Sequence, residues 1–225
     1  MSGLKLVVFD VDGTLVDSQD MIVRSVSEAF AGLDLPVPDR AAILSIVGLS
    51  LPQAFARLAP DLSPAGLEAA ATAYRQSFFA QRQADGAGAA VLYPGARAAL
   101  DGLRARDEVL MGVATGKARR GLVHVIDTHG LHGYFQTTQT ADDHPSKPHP
   151  SMLQAALAET GLDPRDAVMI GDTSFDIEMG RAAGYRTVGV AWGYHPVEAL
   201  HTAGADRVIG DFAALDAVLS EMWEG

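Results

Sequence analysis

Apolar positions along the chain change period several times, and the changes mark out its elements. Residues 4–9 form a nearly continuous apolar run, as expected of a strand buried on both faces. The turn Asp10-Val11-Asp12-Gly13-Thr14 follows. Over residues 17–31, Met21, Ile22, Val26 and Phe30 recur at helical spacing. Pro36 and Pro38 break that helix. Helical patterns resume over 43–47, 51–58 and 67–79, supported by an alanine-rich composition. Almost nothing between Asp17 and Ala90 reads as a strand.

The Gly/Ala stretch 85–90 reads as a linker or hinge. Beyond it, strands predicted over 108–114, 134–138, 167–170, 186–190 and 205–209 alternate with helices over 94–103, 118–129, 150–160, 174–183 and 212–222. Such alternation predicts an α/β fold with a doubly wound parallel sheet covered on both faces. The expected organisation is a discontinuous core (1–16 and 91–225) holding an inserted all-helical domain (17–90).

Composition narrows the function classes. The 225 residues are 48% hydrophobic and 20% charged, which suits a packed core and argues against disorder. A net charge of −11, with no basic stretch to offset phosphate repulsion, disfavours a nucleic-acid partner. The absence of cysteine excludes disulfides, thiolate zinc sites and cysteine nucleophiles. The first residues lack the apolar run and cleavage site of a secretory signal. No run approaches the ~18 apolar residues of a membrane helix. We therefore expect a cytoplasmic protein without membrane association.

In open α/β sheets, ligands bind beyond the carboxyl ends of the strands. There the expected strands place Asp10 and Asp12, then Thr115, then Lys147 in the loop after the third, then Asp172 and Asp176. Carboxylates gathered at one edge repel strongly unless neutralised. A hard divalent cation resolves this. Magnesium, which takes oxygen ligands and substrate phosphates, fits better than calcium: the loop from Asp10 departs from an EF-hand at Thr14 and Leu15.

Asp10-Val11-Asp12-Gly13-Thr14-Leu15, Thr115-Gly116, Lys147-Pro148-His149-Pro150 and Gly171-Asp172-Thr173-Ser174-Phe175-Asp176 resemble, in order, the four motifs of haloacid dehalogenase-like hydrolases. The resemblance covers essentially the whole chain, and within the superfamily it is strongest to the phosphoglycolate phosphatase-like branch. It implies a Rossmann-like core with a helical cap. Asp10 would be the nucleophile and form an aspartyl-phosphate; Asp12 would serve as general acid and then base. Mg2+ would bind Asp10, the Asp12 main-chain carbonyl and Asp172, with Asp176 supporting it through water or from behind. Thr115, the Gly116 amide, Lys147 and the amides of Val11 and Asp12 would hold the transferring phosphoryl oxygens. The cap would close over the substrate about hinges near Val16-Asp17 and Gly86-Gly88, with Ser18, Arg24, Gly48, Leu49 and Arg57 as selectivity candidates.

Asp12 disfavours a dehalogenase, which lacks that acid/base. Phosphonatase chemistry needs a cap lysine, and residues 17–90 contain none. A beta-phosphoglucomutase would carry an arginine after Gly48-Leu49-Ser50, where Leu51 stands. The expectation is a hydrolase of small phosphorylated metabolites, monomer or homodimer, with the mutase as runner-up. A non-catalytic phosphate-binding regulatory protein is the alternative of another class, and retention of both Asp10 and Asp12 argues against it. The P-loop pattern fails in Gly112–Lys117, where three residues separate the glycines and Ala118 replaces Ser/Thr. The histidines between His124 and His149 match no zinc spacing, so they are expected at the surface. The stripe Leu51, Phe55, Leu58 is expected in the cap's own core, and Trp192 and Tyr194 near the site or buried.

Overall fold

The structure is a computed structural model that describes residues 3–85 and 90–224. Strand β1 (Lys5–Phe9) leads through a tight turn to β2 (Val16–Asp17), which pairs antiparallel with β3 (Val91–Leu92). This short ribbon is absent from the sequence expectation, because two residues are too few for a readable period. Between its strands run four helices: α1 (Gln19–Gly32), α2 (Arg40–Leu44), α3 (Leu51–Leu58) and α4 (Pro64–Asp85). The expected hinge at Gly86-Gly88 lies outside the described residues.

The remainder alternates: α5 (Ala96–Arg104), β4 (Val109–Thr115), α6 (Arg119–Thr128), β5 (Thr137–Thr140), α7 (Ser151–Thr160), β6 (Ala167–Gly171), α8 (Ser174–Ala182), β7 (Arg186–Val190), α9 (Val197–Ala203), β8 (Arg207–Ile209) and α10 (Leu215–Glu224). The main sheet is parallel and ordered β5-β4-β1-β6-β7-β8. From β1 the chain winds outward through β4 and β5, then returns to the other side of β1 at β6. That reversal opens a crevice at the carboxyl ends of β1 and β6.

Successive β1 side chains face opposite layers. Val7 and Phe9 pack with Leu100, Leu122, Leu215 and Leu219, while Leu6 and Val8 pack with Met152, Leu153 and Met179. Each fully buried aliphatic or aromatic side chain contributes on the order of 2 kcal/mol. The four helices between β2 and β3 bury an apolar cluster of their own, including Ile22, Val26, Phe30, Ile43 and Phe55.

Three expectations need correction. Strand β5 starts three residues later than the predicted 134–138 and runs on to Thr140. Gly133 turns the chain at a φ of 73°, and Tyr134 sinks into the helical layer while its hydroxyl donates to Asp101. The ladder is then made by Thr137-Thr138-Gln139-Thr140, whose polarity hid it. Helix α4 continues to Asp85, six residues past its predicted end at Phe79, because its last turns are polar and carry no apolar period. Helix α9, opened by Pro196, stands where no helix is predicted.

Candidate active site

Of the six side chains expected at the sheet edge, Asp10, Thr115, Lys147, Asp172 and Asp176 end there, and Asp12 lies to one side. Asp10 follows β1 and Asp172 follows β6, in adjacent strands whose register pairs Phe9 with Ile170. Asp176 sits one turn along α8. Single ligand atoms of Asp10, Asp172 and Asp176 all lie within 4.8 Å of one another, and all three residues are buried. Lys147 reaches in from the loop after β5, fully buried, with its ammonium 2.6 Å from Asp176 Oδ1 and 2.9 Å from Asp10 Oδ1. Thr115 ends β4, buried, with its hydroxyl accepting from the Lys117 amide. Val11 is buried in the turn, where its carbonyl accepts from the amides of Leu15 and Val16.

The turn after β1 is built for this approach. Gly13 adopts φ +89°, and a Cβ there would collide with the Asp172 carboxylate. Asp172 is fixed from both sides: the Thr14 hydroxyl donates to Oδ1 at 2.8 Å, and the Tyr194 amide donates to Oδ2 at 2.9 Å. The Asp176 Oδ2 accepts from the Thr173 amide and hydroxyl in a capping box that starts α8.

Asp10 differs from these. Its contact with Lys147 is an ion pair without hydrogen-bond alignment, so neither carboxylate oxygen has a hydrogen-bond partner among the described residues. A buried polar group left this way is costly. Burial, offset in part by Lys147 and reinforced by Asp176, pushes the Asp10 carboxyl up to about 7. Asp172 is also raised, first by burial and then by Asp176 and Asp10. Burial pulls Lys147 down, but Asp10 and Asp176 outweigh it and hold the ammonium above its usual range. Three carboxylates facing one ammonium leave two negative charges, so the all-oxygen set suits a metal cation.

Asp12 stands apart, nearer the helical insertion. The Ser18 hydroxyl donates to its Oδ1 at 2.5 Å, and Lys117 Nζ lies 2.9 Å from its Oδ2. The sequence reading weighed Lys117 only within a failed P-loop and missed this contact; its place two residues beyond Thr115, in the loop leaving a strand end, is the signal. Thr14 and the Tyr194 amide were missed likewise. Trp192 donates to the Thr14 carbonyl at 3.1 Å, so both aromatics do border the site.

A cavity of about 230 Å³ opens from Asp10, Asp12, Thr115 and Gly116 towards the helical insertion. Of the selectivity candidates, Gly48 and Leu49 line it and Ser18 touches Asp12, whereas Arg24 does not line it and Arg57 lies over the Phe175 ring instead. Leu51, Phe55 and Leu58 pack in the insertion's own cluster, as expected, and also line the cavity. Gly116 is pressed against the insertion: a Cβ there would stand 2.5 Å from the Gly48 carbonyl oxygen.

Residues 7–190 match a family profile described as haloacid dehalogenase-like hydrolase. The chain is 35% identical over 211 residues to "Probable phosphatase IndB" of Dickeya dadantii, covering 92% of this chain and 90% of that one. It is 33% identical to "Pyrophosphatase PpaX" of Bacillus pumilus, over 97% of each chain. It is 31% identical to a phosphoglycolate phosphatase of Haemophilus influenzae, over 96% of this chain and 98% of the relative. Among the described residues no helix is long and apolar enough to cross a membrane.

Proposed function

The chain belongs to the haloacid dehalogenase-like hydrolases, and from that membership we propose that it is a magnesium-dependent phosphatase of small phosphate monoesters that works through an aspartyl-phosphate. Relatives named phosphatase and phosphoglycolate phosphatase support this reading and make phosphoglycolate the reference substrate for testing it. The observation that carries the reading is Asp10: a buried carboxylate with no hydrogen bond of its own, at the closed end of a cavity, flanked by an ammonium and two further carboxylates. A merely structural aspartate at this depth would be hydrogen-bonded.

The all-oxygen donor set suits Mg2+, which would be held by Asp10, Asp172 and the Asp12 carbonyl with support from Asp176, and would offset charge between carboxylate and phosphoryl group. Asp10 attacks phosphorus, the P–O bond to the leaving group breaks, and Asp12 gives its proton to the departing oxygen. Asp12 then takes a proton from water as that water attacks phosphorus, which releases Asp10 and inorganic phosphate. Lys147, the Thr115 hydroxyl and the Gly116 amide hold the phosphoryl oxygens while bonds change. The Lys117 ammonium stands 2.9 Å from Asp12 Oδ2, on the cavity that would receive the anionic substrate. The helices α1–α4 act as the cap that excludes bulk water.

Phosphate release from phosphoglycolate and para-nitrophenyl phosphate, with and without Mg2+, tests this. Magnesium-dependent turnover supports it and rejects a non-catalytic binding protein; silence on both would refute it. Release without any bisphosphate primer separates the phosphatase from a mutase.

A further inference from the structure

The cavity above Asp10 is larger and more apolar than a small polar leaving group requires. Its volume is about 230 Å³, whereas one water takes only about 10–15 Å³ by the same measure. Ile22 and Val26 of α1, Leu51 and Phe55 of α3, and Tyr74 and Phe78 of α4 all face it. A two-carbon hydroxy acid would leave most of this volume unfilled, and an apolar body occupying it would bind through area removed from water.

Among the described residues, two cations on the same cavity have no paired carboxylate. Arg82, on the C-terminal part of α4, has a buried Nε with no hydrogen-bond partner. Arg120, in the first turn of α6, stacks its guanidinium over the Phe79 ring at 4.7 Å. No carboxylate among the described residues pairs with either, whereas Lys117 is taken by Asp12 and Arg75 by Glu68. The two guanidiniums also burden each other: burial and then the Arg120 charge lower the Arg82 pKa. Like charges beside an apolar surface repel, and an anion set between them removes the repulsion.

We propose that the preferred substrates are phosphate monoesters whose leaving group has an apolar, aromatic-sized body lying against α1, α3 and α4 and a second anionic group paired with Arg82 and Arg120. This rests on the phosphatase reading above and narrows it to a substrate class. The reacting phosphate sits at the sheet edge, the body fills the cap cavity, and the far anion, a carboxylate or its like, reaches the α4–α6 side.

The test compares three monoesters with similar alkoxide leaving groups under saturating Mg2+: para-carboxybenzyl phosphate, benzyl phosphate and phosphoglycolate. Expected is the highest kcat/KM for para-carboxybenzyl phosphate, about tenfold above benzyl phosphate and carried by KM, the size of one charge-assisted contact. In the double variant Arg82→Gln/Arg120→Gln that preference collapses towards parity. Phosphoglycolate turned over best by wild type overturns the proposal and leaves the phosphatase reading standing. So does a carboxylate preference that survives in the double variant, or one that is absent from wild type. Failure to hydrolyse para-nitrophenyl phosphate with Mg2+ removes the phosphatase reading itself, and the substrate class with it.

Discussion

The two walls of the cavity are built on opposite principles. The sheet-edge wall concentrates charge: Asp10, Asp172, Asp176 and Lys147 are each buried and fixed by strand ends, a glycine turn and a capping box. The cap wall is apolar and aromatic, carried on helices with an apolar cluster of their own, and its charges lie at the margin. On the proposed function, the first wall would carry a single event, transfer of a phosphoryl group to a carboxylate. The second meets whatever the phosphate is attached to. On the proposed function, the chemistry would sit on the sheet-edge wall and most of the selectivity on the cap wall, with Arg120 of α6 shared between them.

Breaking the sheet-edge wall should have the largest effects. Asp10→Asn is expected to lower kcat by about 10⁴-fold or more. The melting temperature should stay unchanged or rise, because a strained buried charge is lost; wild-type rates in a folded variant would contradict the assignment. Chelation should silence the enzyme, and added Mg2+ should restore it and raise the melting temperature, since the ion binds only the folded cluster. Lys147→Met leaves Asp10 and Asp176 buried without their ammonium, and we expect about 3–5 kcal/mol less stability in denaturant titration.

Breaking the cap side should cost less and leave the core folded. Gly116→Ala pushes a methyl group against the Gly48 carbonyl, and a misplaced cap should lower kcat/KM by about 100-fold, with a modest fall in the denaturation midpoint. The smallest effect concerns His195, which bridges the walls. Its Nδ1 accepts from the Ser174 amide, and its Nε2 lies 3.2 Å from the Ser45 carbonyl of the cap. Burial lowers its pKa below the ordinary 6.5, against the raising influence of Asp176 and Glu178. The unfolded chain therefore binds a proton that the folded one resists, and stability falls as pH drops below about 6.5. Melting curves across that range should show a shallower decline in His195→Gln than in wild type.

The same division explains what the sequence could disclose. Asp10, Thr115 and Asp172 each follow an apolar run that reads as a strand, and parallel strands deliver their ends to one edge. The placement of these residues is therefore legible without coordinates. The cap wall is not. Leu51, Phe55 and Leu58 look like any amphipathic stripe, and the helical period cannot say that one stripe serves both a core and a cavity. Arg82 lies on the polar extension of α4 beyond its predicted end, and Arg120 comes from a segment 38 residues away, so only tertiary packing brings them together. Lys117 escaped because its partner, Asp12, lies far off in sequence.

Acid-quenched turnover followed by peptide mass spectrometry tests the core of this account most directly. With Mg2+ and substrate, the phosphoryl group should be found on the peptide containing Asp10, and that mark should be missing from Asp10→Asn. A phosphoryl group trapped on another residue, or an unmarked Asp10 peptide while phosphate is being released, would contradict it.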